Sequence, residues 1–348
     1  LIKLGYTIVI LDVQNNTKEL HYTLNNNKYY LRKVNYFVAD IRNVSTVRRI
    51  IKQFDKLNGI IHFAAVSTTE DCAANITECL SVNVNGTEGL LQVVESSFAN
   101  TSVKPWIIFG SSREVYGNVD PNLPADEDTP LLPVNVYGKS KLVGELLLAQ
   151  YMSAFSNIFI LRFADVYGSL LQKERLVPNM IKTAMMDAVL YITDVNKEVD
   201  YVHIHDVISI CIKAVQKLEK YAWGLNSTIN RLIVGSGETT DTNKLVSVIL
   251  EITASRSPLI LLPSNRTDTF SCNIKQMKRV LGYIPAYSSL EAGLQKYVYD
   301  LRRQEQKTLE TIYKGECSSA EVTSLKLDKC TRPKPEKHRE LGDSSRCN

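Results

Sequence analysis

Tyr137-Gly-Lys-Ser-Lys141 sets a phenol and an ammonium four positions apart where the pattern predicts the start of a helix. One helical turn puts the two side chains on the same face. There the ammonium stabilises a phenolate and draws the tyrosine from about 10 toward working pH, which makes a general base. Alone, such a pair is a common coincidence on a solvated helix. Upstream, however, Phe109-Gly-Ser-Ser112-Arg-Glu114-Val-Tyr116-Gly117 follows directly on a predicted strand. Ser112 then stands at a strand's carboxyl end, where its hydroxyl can hold a reacting hydroxyl or carbonyl, and Glu114 adds a carboxylate beside it. His203 and His205 suggest a metal, but no third ligand follows at a usable spacing, so no metal is expected.

The elements that must position these groups follow from the apolar pattern. Residues 6–12 form a continuous apolar run closing on Asp12, the signature of a strand buried on both faces, and 36–40 and 59–65 repeat it. Between them lies an amphipathic helix over 44–57. The sequence next predicts a helix over 76–97, a strand over 106–110, a helix over 135–151 and a strand over 158–162. Alternation of this kind implies an α/β fold, a parallel sheet wrapped by helices on both faces, with ligands at the carboxyl ends of the strands. Beyond Arg162 the order loosens: a helix over 175–188, a strand over 198–204, a helix capped by Asp206 and running to Leu218, and a strand over 232–234. After Asp300 the periodicity fades, and Pro333-Lys-Pro335 cannot continue a helix. A polar, mobile tail is expected over 302–348.

Composition excludes several classes. The chain has 348 residues, 44% hydrophobic and 22% charged, which is globular, and no apolar run reaches the roughly 18 residues of a membrane helix. No membrane partner is expected. Net charge is +4, but 302–348 holds 11 Lys or Arg against 8 Asp or Glu, leaving 30 against 29 elsewhere. A neutral body lacks the basic footprint of a nucleic-acid binder. The seven cysteines include no CxxC pair, and the first residues show no basic region, apolar core or cleavage site of a signal peptide. The expectation is a cytoplasmic protein with reduced thiols.

Taken together with Val9-Ile-Leu-Asp12, Ala39-Asp40-Ile-Arg, Ile61-His-Phe-Ala-Ala65, Asn83-Val-Asn-Gly-Thr87, Leu161-Arg-Phe163, Val166-Tyr-Gly168, Asp200-Tyr-Val-His203 and Leu281-Gly-Tyr283, these motifs have a clear likeness. The chain resembles the extended short-chain dehydrogenase/reductase family, the nucleotide-sugar epimerases and dehydratases, and within it the UDP-glucose 4-epimerase group. The resemblance implies a Rossmann-like doubly wound sheet over 1–165, with 198–234 returning to it. It also implies a smaller substrate-binding domain from 166–197 and 235–301. NAD is the implied cofactor, a UDP-sugar the implied substrate and a homodimer the implied assembly.

By the same resemblance Tyr137 takes the proton of the sugar 4-hydroxyl, Lys141 holds the nicotinamide ribose and tunes Tyr137, and Ser112 holds the sugar oxygen. Hydride leaves the sugar, the 4-keto sugar turns over, and hydride returns to its other face. Asp12 would accept the adenosine ribose hydroxyls, Asp40 and Ile41 would meet adenine, Ala64 and Ala65 would approach the cofactor, and Asn83 would support the site. A carboxylate at Asp12 favours NAD over NADP. On the substrate side stand Asp165, where many relatives carry Asn near the pyrophosphate, and Arg266, in a shortened form of the family's Arg-Pro-Gly-Asp.

Departures bear on the reaction. The family's opening strand and GxxGxxG turn, which cradle the pyrophosphate, do not occur in this sequence, as though the chain began inside the first helix. Either a truncated product or a remnant that binds NAD poorly fits that comparison. The missing strand would lie in the middle of the sheet. Glu114 is the residue with which dehydratases and UDP-glucuronate decarboxylases of the family act further on the keto sugar. The 4,6-dehydratases often precede it with an acid, whereas this chain has Arg113.

Overall fold

Runs of apolar residues become parallel strands, and amphipathic ones become the helices between them, in the computed structural model. It describes residues 1–24, 27–54, 56–120, 123–168, 175–193, 198–221, 227–262 and 269–313. Its strands are β1 (Ile8–Asp12), β2 (Val34–Val38), β3 (Gly59–His62), β4 (Trp106–Ser112), β5 (Asn157–Phe163), β6 (Asp165–Tyr167), β7 (Leu190–Ile192), β8 (Glu198–His203), β9 (Thr228–Val234), β10 (Thr239–Asp241) and β11 (Leu259–Leu261). Its helices are α1 (Thr17–Thr23), α2 (Lys28–Leu31), α3 (Val44–Ile51), α4 (Thr69–Ala74), α5 (Ile76–Leu80), α6 (Thr87–Phe98), α7 (Val136–Gln150), α8 (Leu176–Met185), α9 (Ile204–Tyr221), α10 (Thr242–Thr253), α11 (Lys275–Leu281) and α12 (Leu290–Tyr313).

The main sheet runs β3-β4-β5-β9, every pair parallel, and β1 pairs in parallel with β2. Among the described strands no ladder joins the β1-β2 pair to the main sheet. β4 lies between two neighbours and is buried along its whole length. Its side chains divide by the two-residue period of a strand. Ile107 and Phe109 join Val47, Leu91, Val94, Leu148 and Phe155 on one face, where α3, α6 and α7 pack. Trp106 and Ile108 join Phe159, Ile210, Ala214, Leu218 and Met277 on the other, under α9 and α11. Both faces are therefore covered, as an all-parallel sheet requires. Smaller sheets, β10-β8-β6 and β11-β7, follow the main one.

Three local readings change. The single helix expected over 76–97 is α5 and α6 joined by a π turn at Ser81–Gly86, a conformation that turns Asn83 inward. Asp206 does not cap α9 but sits in its first turn. Its carboxylate accepts from Tyr283 Oη at 2.7 Å and from the backbone amides of Ala286 and Tyr287 at 2.8 and 3.0 Å, which ties down the chain ahead of α12. The thiols are not all reduced: Cys72 and Cys79, on α4 and α5, form a disulfide, because the short turn at Asn75 brings their Cα atoms to 5.0 Å. Contacts divide the chain at Val298, and α12 runs on through Tyr313, past the point where periodicity fades. Residues 314–348 of the expected polar tail lie outside the described residues.

A buried ion pair crosses from α7 to the sheet, with Arg231 of β9 farther off, 3.9 Å from the same carboxylate. Arg162 of β5, 1% exposed, donates Nε to Glu145 Oε1 at 3.0 Å and a terminal nitrogen to Glu145 Oε2 at 2.7 Å. Its other terminal nitrogen reaches Tyr116 Oη at 2.9 Å, and Ser111 Oγ donates to Glu145 Oε1 at 2.6 Å. Removing one partner leaves the other charged, buried and unpaired. Glu145→Ala is expected to cost about 3–5 kcal/mol of unfolding free energy in urea titrations, and a loss under about 1 kcal/mol would contradict a fully desolvated pair.

Candidate active site

α7 begins where the sequence requires. Asn135 is its N-cap, the side-chain oxygen accepting from Gly138 N at 2.8 Å, so the next residues project from the first turn. Gly138 then allows a close approach: a Cβ there would sit 2.3 Å from the Glu114 carbonyl oxygen. Any side chain would push α7 off the turn that follows β4. Gly117 ends that turn with φ at 67°, and a Cβ on it would lie 2.0 Å from the Leu132 carbonyl oxygen.

This contact brings three expected residues together. Ser112 at the end of β4 hydrogen-bonds the Tyr137 phenol, and its Oγ accepts from Glu114 N at 3.2 Å. Lys141, one turn on, is buried. Its Nζ donates to the Gly110 carbonyl at 2.8 Å and lies 5.8 Å from the centre of the Tyr137 ring. Burial pushes Tyr137 up to about 12, against which the charge of Arg175 and the hydrogen bond from Ser112 pull it down. Burial also holds Lys141 down to about 8. All three line a cavity of about 1090 Å³ with Phe63, Ser67, Arg113, Glu114, Asp165 and Arg175. That is room for a ligand at the upper end of ordinary pockets.

The other expected residues divide by place. Glu114 is on the cavity wall but is not free: Arg113 lies 3.2 Å from its Oε1, and Asn135 Nδ2 donates to its Oε2 at 2.6 Å. Asp165 faces the same arginine, with Arg113 Nε 2.7 Å from its Oδ2, an ion pair by charge and distance rather than an aligned hydrogen bond. The Arg113 guanidinium also lies over the Phe270 ring, 5.3 Å from its centre. Asn83 sits behind the wall, accepting from Val66 N at 2.8 Å and donating to Val66 O and Ser140 Oγ at 3.0 and 2.9 Å. It clamps the strap after β3 to α7. Asp12 ends β1, one oxygen accepting from Gln14 N at 2.9 Å. Asp40 is turned onto Arg42 at 2.6 Å, Ile41 is buried, Ala64 is exposed just past β3, and Ala65 lines the cavity. Arg266 lies outside the described residues.

Two residues were missed. Glu145 continues the stripe of Tyr137 and Lys141 at four-residue spacing, which periodicity could have shown. Arg175 had no such signal, since it lies in the loosely ordered half and reaches the cavity only by the fold. Among the described residues, no group of three His, Cys, Asp or Glu could hold a metal ion, and no helix is long and apolar enough to cross a membrane.

Lys141 exposes the cost of this site. Its folded value is below the usual 10.5, so the burial penalty is full below about 8 and is lifted as pH rises from 8 toward 10.5, where only the unfolded chain keeps the proton. Lys141→Met is expected to be more stable than the native chain at pH 7, by on the order of 1 kcal/mol, with the gap closing over that range. Thermal melts at pH 7 and pH 9.5 would test the sign.

The family described as "NAD dependent epimerase/dehydratase family" matches residues 1–224. A UDP-glucose 4-epimerase of Lactobacillus helveticus is 29% identical over 206 residues, 54% of this chain and 60% of that enzyme, so the chain matches about three fifths of that relative's length. The solved UDP-glucose 4-epimerase of Thermotoga maritima, with UDP-glucose, superposes at a TM-score of 0.73 and 22% identity, covering 87% of this chain and 93% of that one. The UDP-glucuronic acid 4-epimerase of Bacillus cereus, with UDP-glucuronic acid and NAD, gives 0.71 and 22%, covering 86% and 92%.

Proposed function

Because the chain belongs to the NAD-dependent epimerase/dehydratase family, we propose that it epimerises a UDP-hexose at C4 through a transient 4-keto sugar. The observation that carries this reading is Ser112 hydrogen-bonded to Tyr137, with Lys141 packed on the ring, in one cavity at the carboxyl end of β4.

The residues present fit the two ribose ends of NAD. Asp12 keeps one carboxylate oxygen without a hydrogen bond among the described residues, at a strand end suited to ribose hydroxyls, and Lys141 offers its remaining protons beside Tyr137. When bound, NAD supplies the hydride acceptor. This chain's residues supply the proton chemistry. Ser112 holds the sugar 4-oxygen, and Tyr137 takes its proton as the carbonyl forms and returns it when the alcohol is restored. Lys141 holds the ribose and keeps a positive charge beside the phenolate.

Arg113 favours epimerisation over dehydration. Loss of water from the keto sugar requires a proton for the leaving hydroxyl, and the position that often holds an acid in 4,6-dehydratases here holds a guanidinium that cannot give one. Glu114 is held by Arg113 and Asn135, an anchored carboxylate that braces the α7 cap.

We read the assembly as a homodimer through α5 and α7, which pack together and leave Leu80 and Leu146 40% and 61% exposed. Leu146→Glu should then halve the mass measured by sedimentation, and a native chain that already sediments as a monomer would remove the reading.

The reaction is tested with the full chain, NAD and UDP-glucose or UDP-galactose, followed by proton NMR. Interconversion is expected, falling about 10²–10⁴-fold in Tyr137→Phe. No turnover of either sugar would overturn the proposal, and carbon dioxide released from UDP-glucuronate would replace it with decarboxylation.

A further inference from the structure

A base that must work near neutral pH is enclosed here in a site that opposes its ionisation. Tyr137 is met by charges from four elements: Lys141 on α7, Glu114 on the turn after β4, Asp165 on β6 and Arg175 at the head of α8. Among the described residues, Glu70 of α4 and Arg113 complete the charged lining of the cavity. The two nearer carboxylates oppose a phenolate. A cation has to offset them.

The three cationic residues among the described lining have different duties. Arg113 is neutralised by Asp165 and Glu114, at 2.7 and 3.2 Å. Lys141 spends a proton on the Gly110 carbonyl and stands over the ring, 5.8 Å from its centre. Arg175 differs from both. One terminal nitrogen donates to the Ser67 carbonyl oxygen at 3.2 Å, a neutral acceptor, and among the described residues no carboxylate pairs with it. Ser67 belongs to the strap that Asn83 clamps to α7 through Val66 and Ser140, so the bond sets the guanidinium on the same framework that carries Tyr137.

We infer that Arg175 is the standing cation of the site, stabilising the phenolate of Tyr137 from the wall of the same cavity. It acts through Tyr137, as a positioning residue whose contribution is charge. The inference rests on the proposed role of Tyr137 as the base. Its support is the charge inventory above, together with the direction of the fields: of the groups around Tyr137, Arg175 draws the phenol down most. A planar guanidinium suits the task, since it stays charged across the whole working range, whereas burial holds Lys141 down to about 8.

The test reads Tyr137 without requiring turnover. Difluorotyrosine incorporated at position 137, whose phenol titrates lower than tyrosine, is followed by fluorine NMR against pH in the native chain, in Arg175→Leu and in Arg175→Lys. The midpoint should rise by about one pH unit in Arg175→Leu and by much less in Arg175→Lys. An unmoved midpoint in Arg175→Leu, or an equal rise in both variants, would overturn the inference. Where UDP-sugar turnover is found, the acid limb of kcat/KM should move the same way. A chain that turns over no UDP-sugar but shows the titration shift would sink the proposed reaction and leave the charge assignment standing.

Discussion

A guanidinium and a carboxylate face each other between α7 and β5, both almost without solvent, and the site depends on their arrangement. Taking two such charges out of water costs several kcal/mol each, and attraction offsets this only where geometry is good and the remaining donors are satisfied. Both conditions hold. Arg162 engages both oxygens of Glu145 and the Tyr116 hydroxyl, and Ser111 closes the remaining side of the carboxylate. The pair therefore fixes more than distance. Glu145 lies two helical turns beyond Tyr137 on the stripe that contains Lys141, so locking Glu145 to β5 and Ser111 sets the rotation of α7 about its axis. Tyr137 and Lys141 can then face only the carboxyl end of β4.

Rotation would be useless without approach. Gly138 supplies that, because only a residue without Cβ lets the first turn of α7 rest on the Glu114 carbonyl. Asn83 supplies a third restraint, from the π turn, by bonding both the strap after β3 and Ser140. A π turn adds one residue to the helical path and is found at functional sites more often than elsewhere. Here it swings an amide inward that a regular helix through 76–97 would have left on another face. Three elements distant in sequence converge on one phenol.

This explains what could be read beforehand. The alternation of apolar runs and amphipathic stretches follows from local chemistry, and so do the parallel sheet and the strand end that carries Ser112. Lys141 was visible because one helical turn is a local rule. Asp206 was misread as a cap because its partners, Tyr283, Ala286 and Tyr287, lie some eighty positions away, where no local pattern reports them. The Cys72–Cys79 disulfide was missed for the opposite reason: counting cysteines speaks of frameworks, whereas a short turn between two helices decides this one. Arg175 needed the whole fold.

Charge completes the account of chemistry. Asp165 is met by Arg113 at 2.7 Å, so its charge is compensated within the protein itself. The same arginine holds Glu114, and Glu114 in turn holds the cap of α7 through Asn135. One guanidinium thus joins Asp165 to Glu114 and, through it, to the residue two positions before Tyr137. An acid at position 113 would have joined three carboxylates on one wall and left Asp165 uncompensated. The guanidinium on which the proposed preference for epimerisation rests is thus also the group that makes the wall electrostatically tolerable.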